Sequence, residues 1–160
     1  MRGPSKEYQP FWQDFLETQA DPETVNQRFY ESFHFSSTKE LANELAEIVL
    51  AGTKTATSAL VWENEAADKP VALPGVYSIV TDWDGHPVCI IETTEVRIKP
   101  FKDVDAEFAY DYGEEARTLE WWKPALWDSY KSICADLGKT PSPEMLLICE
   151  RFKVVFPGRN

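Results

Sequence analysis

One lysine stands among four hydroxyls in Gly52-Thr53-Lys54-Thr55-Ala56-Thr57-Ser58. A lysine that gives up its proton is a general base, and a hydroxyl beside it is then an available nucleophile. Lys54 and Thr57 are three residues apart. One helical turn or a tight loop therefore brings ammonium and hydroxyl to the same side. Free lysine loses its proton near pH 10.4, so work as a base near neutrality requires lowering that value by roughly 3, on the order of 4 kcal/mol. Burial supplies a shift of this size; a solvated loop position does not. The ordinary alternative is a solvated lysine with its neighbouring hydroxyls bonded to turn backbone. A lysine that stays charged would instead bind a phosphate or a carbonyl oxygen.

Aromatic residues form the second group with chemical potential. Trp121, Trp122 and Trp127 follow Tyr110 and Tyr112. Aromatic faces stack on bases, worth about 1–3 kcal/mol per base. Trp122 shares an apolar stripe with Leu119 and Leu126 and reads as core. Trp121 lies beside that stripe and is the candidate for a cleft wall. Arg117, Lys123 and Lys131 are either solvated or a small basic patch, weakened by the adjacent Glu114-Glu115. Asp103, Asp105 and Glu107 read as a helix start and its polar face, because a calcium loop would need a glycine and a distal Glu that are missing.

The totals narrow the function classes. A chain of 160 residues, 43% hydrophobic and 27% charged, is the size and composition of one folded domain. Lys+Arg number 16 and Asp+Glu 27, a net charge of −11. Phosphate repels such a surface, which argues against a long nucleic-acid track but not against one local basic pocket. Cys89, Cys134 and Cys149 are odd in number with no C-x-x-C, and read as reduced, buried thiols of a cytoplasmic protein. His34 and His86 are far apart in sequence, so neither a metal site nor a cofactor is expected. No G-x-G-x-x-G or P-loop pattern occurs. No run of 18 apolar residues exists, and Met1 to Glu7 has no apolar stretch behind it, so neither a membrane span nor a signal peptide is expected.

Several elements must position these residues. Tyr8, Phe11, Trp12, Phe15 and Leu16 predict an amphipathic helix over 6–20, and Asp21-Pro22-Glu23 starts a short one reaching about Tyr30. Ser37-x-x-Glu40 is a capping box, and Leu41, Leu45, Ile48 and Val49 line one face of a helix over 38–51, closed by Gly52. From about residue 59 the period changes. Val76–Val80 reads as a strand, Asp84-Gly85 as a hairpin turn, and Pro87–Ile98 as a long strand. Its inward set is Val88, Ile90, Thr94, Val96 and Ile98, with Glu92 on the same face, bulged or locally paired. A helix over 118–137 ends at Gly138, with Pro124 starting or kinking it. Leu146–Phe156 closes the chain as a strand. Without regular βαβ alternation, this predicts an α+β fold, a mainly antiparallel sheet or small barrel with helices packed outside.

Gly52-Thr53-Lys54-Thr55-Ala56-Thr57 resembles the G-x-K-T-x-T signature of the ASCH domain. Pro74–Val80 and Gly85–Val96 resemble that family's central strands. Phe108-Ala109, Leu119-x-x-Trp122 and Cys149-Glu150-Arg151-Phe152 resemble its later landmarks, so the likeness spans roughly residues 30–156. It implies a small PUA-like β-barrel with flanking helices and a cleft beside the signature loop. The expected domain is 31–160, with residues 1–30 as a helical extension. It also implies function: PUA-like domains mostly bind RNA, some ASCH relatives are ribonucleases, and one small bacterial ASCH enzyme deacetylates the exocyclic amine of acetylcytidine with the signature Lys, the second Thr and a downstream Glu. Lys and Thr carry over as Lys54 and Thr57.

The downstream segment departs from the family pattern. It reads Phe108-Ala109-Tyr110-Asp111-Tyr112-Gly113-Glu114-Glu115-Ala116, with Tyr112 at the position of the acidic partner if no gap is placed. The family's His after Trp-x-x-x is Leu126, and an Arg following the signature in the deacetylase is Ala59. Asp111, Glu114 or Glu92 would have to supply the carboxylate. The resulting expectation is a nucleoside- or short-RNA-binding cleft, possible as an amidohydrolase with Lys54, Thr57 and Glu114 catalytic. Thr55, Ser58, Tyr112, Asp111 and Trp121 would contact the ligand. A non-catalytic binding module and a ribonuclease are the alternatives.

Overall fold

The structure, a computed structural model, describes residues 3–157. The first two residues and 158–160, which close the expected domain, lie outside the described residues. Five strands are ordered β1-β3-β4-β5-β2, with β1 Phe29–Phe33, β2 Ala56–Leu60, β3 Tyr77–Thr81, β4 Pro87–Pro100 and β5 Leu146–Pro157. β3 pairs antiparallel with β4, and β2 antiparallel with β5, but β1 pairs parallel with β3. The expected mainly antiparallel barrel is therefore corrected to an open, partly parallel five-stranded sheet. The reason is β1. Its five half-buried residues carry no turn signal, and a parallel neighbour needs a long crossover rather than a hairpin.

The chain forms two compact units. The first takes residues up to Gly52, Ala72–Thr94 and the chain from Phe152 on. Its helices are α1 Gln9–Leu16, α2 Pro22–Gln27 and α3 Lys39–Leu50. Trp12 and Phe15 of α1 are fully buried with Ile79 and Ile90. A second cluster joins Leu45 and Val49 of α3 to Val80, Val88 and Phe152. Thr38, not Ser37, caps α3, accepting from the Leu41 N–H at 3.4 Å, and Leu41 turns out of the core. Glu92 faces Lys153 at 3.9 Å. The first half of β4 is buried on both faces, as a central strand must be, while Thr94 and Ile98 are exposed.

The second unit takes Thr53–Val71 and Glu95–Arg151. It contains α4 Val61–Ala66, α5 Ala106–Tyr112 and α6 Leu119–Leu137. Helix α4 was not anticipated from the sequence; its first turn is held by Glu63, whose side chain accepts from the Leu60 N–H at 3.0 Å. Asp105 caps α5, accepting from the Phe108 N–H at 2.9 Å. Thr118 caps α6, and Pro124 lies inside that helix. Trp122, Phe108, Leu60 and Leu147 centre the apolar core. All three cysteines are free and buried.

Candidate functional site

Lys54 leaves the signature loop just before β2 and is fully buried. A buried ammonium is stable only if its charge is matched and its hydrogens are bonded. Glu114 meets it at 2.9 Å, and Nζ donates to the Tyr112 carbonyl at 3.1 Å. The Tyr112 ring centroid is 3.4 Å from Nζ, so the ring's negative face adds a third attraction. Burial pulls the Lys54 pKa down to about 8, while the charge and hydrogen bond of Glu114 push it back up. Near pH 8 the amine is thus divided between its basic and acidic forms.

The end of α5 and the signature loop bring these groups together. α5 finishes at Tyr112, and Gly113 takes the left-handed conformation with φ +77°. A Cβ on Gly113 would fall 2.4 Å from the Thr53 oxygen and 2.5 Å from the Lys54 Cα. Only glycine lets the turn lie directly on the signature loop and deliver Glu114 to Lys54. From the loop side, Thr55 donates its N–H to the Asp111 carbonyl at 2.8 Å, and its hydroxyl lies 3.4 Å from the same oxygen.

Of the residues expected from sequence, the structure brings Lys54, Tyr112 and Glu114 into direct contact. Thr55 and Asp111 join them through backbone. One oxygen of the Asp111 carboxylate accepts from Arg151 Nε and Nη2, both at 3.2 Å. Thr57 is half-buried on β2. Tyr112 is buried, and burial followed by the charge of Glu114 raises its hydroxyl pKa, with Ser58 and Thr57 beside it pulling the other way. Its ring is packed on Phe108 and Trp122, so it supports Lys54 rather than standing free for a base. The Ser58 hydroxyl is bonded to the phenol of Tyr130. Trp121 packs half-buried against the unit's core.

Three residues enter that the motif did not assign. Arg151 of β5 holds Asp111 and also meets Glu95 at 3.1 Å. Tyr130 anchors Ser58. Arg117 points inward rather than joining a basic patch: Nε donates to the Tyr110 carbonyl at 3.0 Å and Nη2 to the Thr53 carbonyl at 3.2 Å. Lys123 likewise donates to the Phe101 carbonyl at 2.7 Å. Spacing did not reveal these contacts, because most of the partners are distant in sequence. A shallow groove lined by Phe101, Pro124, Trp127 and Pro143 includes none of the Lys54 residues. Among the described residues no helix is long and apolar enough to cross a membrane, and no three His, Cys, Asp or Glu side chains are grouped to hold a metal.

Residues 31–156 match the ASCH domain family. The structure is similar to an ASCH domain from Lactobacillus crispatus, 30% identical, with TM-score 0.89 and coverage of 96% of this chain and 97% of that one. It is also similar to a protein from Enterococcus faecalis of a family of unknown function, 29% identical, with TM-score 0.84 and coverage of 96% and 90%. A search of curated proteins returns no match.

Proposed function

The chain belongs to the ASCH domain family, and on that premise we propose that it is a hydrolase of a nucleoside-scale substrate, removing an acyl group from the exocyclic amine of a cytidine-type base. The observation that carries this reading is the fully buried Lys54, with its pKa near 8 and a carboxylate at 2.9 Å. A poised amine of this kind is suited to proton transfer near neutrality.

On this reading the roles divide as follows. Neutral Lys54 takes a proton from the water that attacks the amide carbonyl. Glu114 and the Tyr112 ring then hold the ammonium so formed. The ammonium returns the proton to the leaving exocyclic nitrogen as the carbon–nitrogen bond breaks, giving a carboxylic acid and the free amine. Thr57 is the hydroxyl that orients the substrate. Scale also favours a small ligand: Arg117 and Arg151 are engaged by internal partners, and a net charge of −11 opposes a long phosphate track.

The test is chromatographic hydrolysis of a panel of acylated cytidines by wild type and Lys54→Ala. Turnover is expected for wild type, rising through about pH 8, with loss of at least a hundredfold in the variant. Absence of turnover by wild type would overturn the hydrolase reading in favour of a binding module.

A further inference from the structure

A base with no exposed surface cannot meet a substrate, and Lys54 is completely enclosed. The cover over it includes the turn that carries Glu114. That turn is conformationally costly: after Gly113, Glu115 has φ +51° and Arg117 φ +59°, left-handed values that side chains disfavour. Arg117 fastens the turn on two sides. It bonds the Thr53 carbonyl in the signature loop and the Tyr110 carbonyl in α5, and its guanidinium carbon lies 3.7 Å from the Tyr110 ring centroid. Tyr110 is itself exposed, so this fastening sits at the solvent surface.

We propose that Gly113–Arg117 is a lid over Lys54 and that Arg117 is its latch. The inference rests on the reading of Lys54 as the working group. Opening breaks the two guanidinium bonds, relaxes Glu115 and Arg117 from left-handed backbone, and swings Glu114 away so that a substrate reaches Nζ. Closing returns Glu114 to the amine and excludes water. Arg117 is a positioning residue: it touches no reacting atom.

The test reads access without relying on turnover. Wild type and Arg117→Ala are pulsed with an acetylating N-hydroxysuccinimide ester, and Lys54 modification is counted by peptide mass spectrometry against the exposed Lys69, across pH 7–10. Arg117→Ala is expected to label Lys54 at least tenfold faster with an unchanged pH midpoint. Cys134 should stay unreactive to a thiol reagent, which shows that the unit has not loosened. Labelling at the wild-type rate, or faster labelling only through a moved midpoint, overturns the latch. If the variant does not fold, amide exchange of wild type decides. The Arg117 N–H, bonded to the Glu114 carbonyl, must exchange faster than the Thr55 N–H bonded to Asp111; equal rates overturn the lid. Faster labelling without hydrolysis of any substrate would keep the lid and remove the hydrolase.

Discussion

At the scale of the residue, the Lys54–Glu114 pair makes stability depend on pH with a definite sign. The folded chain releases the Lys54 proton near pH 8 and the unfolded chain near 10.5. Between those values the unfolded state holds more protons, so this group's contribution to stability rises with pH; its burial cost is fully present below pH 8. The raised pKa values of Tyr112, Tyr130 and Cys149 act oppositely at high pH, so the effect is read as a difference from a variant. Urea unfolding of wild type minus Lys54→Met should therefore climb from pH 8 to 10, and a flat difference would mean the lysine titrates normally. Because Glu114 holds the Lys54 pKa up, Glu114→Gln should shift the midpoint of the rate profile below pH 8. An upward shift would contradict the pairing. Lys54 was legible as a candidate because hydroxyls surround it in sequence. Motif spacing put Tyr112 at the acidic position and left Glu114 as one of three substitutes; Arg117 and Arg151 were not legible, since their partners Thr53 and Asp111 lie far along the chain.

At the scale of the element, the close approach of α5 to the signature loop is the demanding contact. Gly113→Ala adds a methyl group within 2.5 Å of backbone atoms and forces a left-handed alanine. A loss of at least about 2 kcal/mol is expected in urea unfolding. A neutral result would show that the turn moves aside freely. The long periodic elements, α3, α6, the β3–β4 hairpin and β5, were readable because their apolar spacing and caps agree. β1 and α4 were not. β1 is a short strand in parallel pairing, which leaves no local turn chemistry, and α4 has Leu60 at its N-cap, a residue whose side chain cannot cap.

At the scale of the whole molecule, charge dominates. A net charge of −11 repels itself, and added salt screens that repulsion. The melting temperature is expected to rise between roughly 10 and 200 mM salt, because exposed pairs such as Lys102–Glu144 have little to lose, about 1 kcal/mol or less. A falling temperature would mean that surface pairing outweighs repulsion. The same acidity predicts no saturable binding of a long RNA at physiological salt in fluorescence anisotropy. Composition alone made this scale legible; it could not say that the sheet stays open.

The two end strands of that sheet have a consequence for how the protein is made. Phe29–Phe33 leaves the ribosome before Tyr77–Thr81, and Ala56–Leu60 before Leu146–Pro157, the strands that pair with them. Each waits with an unpaired edge while the intervening chain is synthesised, and the wait of β2 is the longer. A stalled or truncated nascent chain therefore presents the strand next to Lys54 as a bare edge, a template for aggregation that a holdase would have to cover.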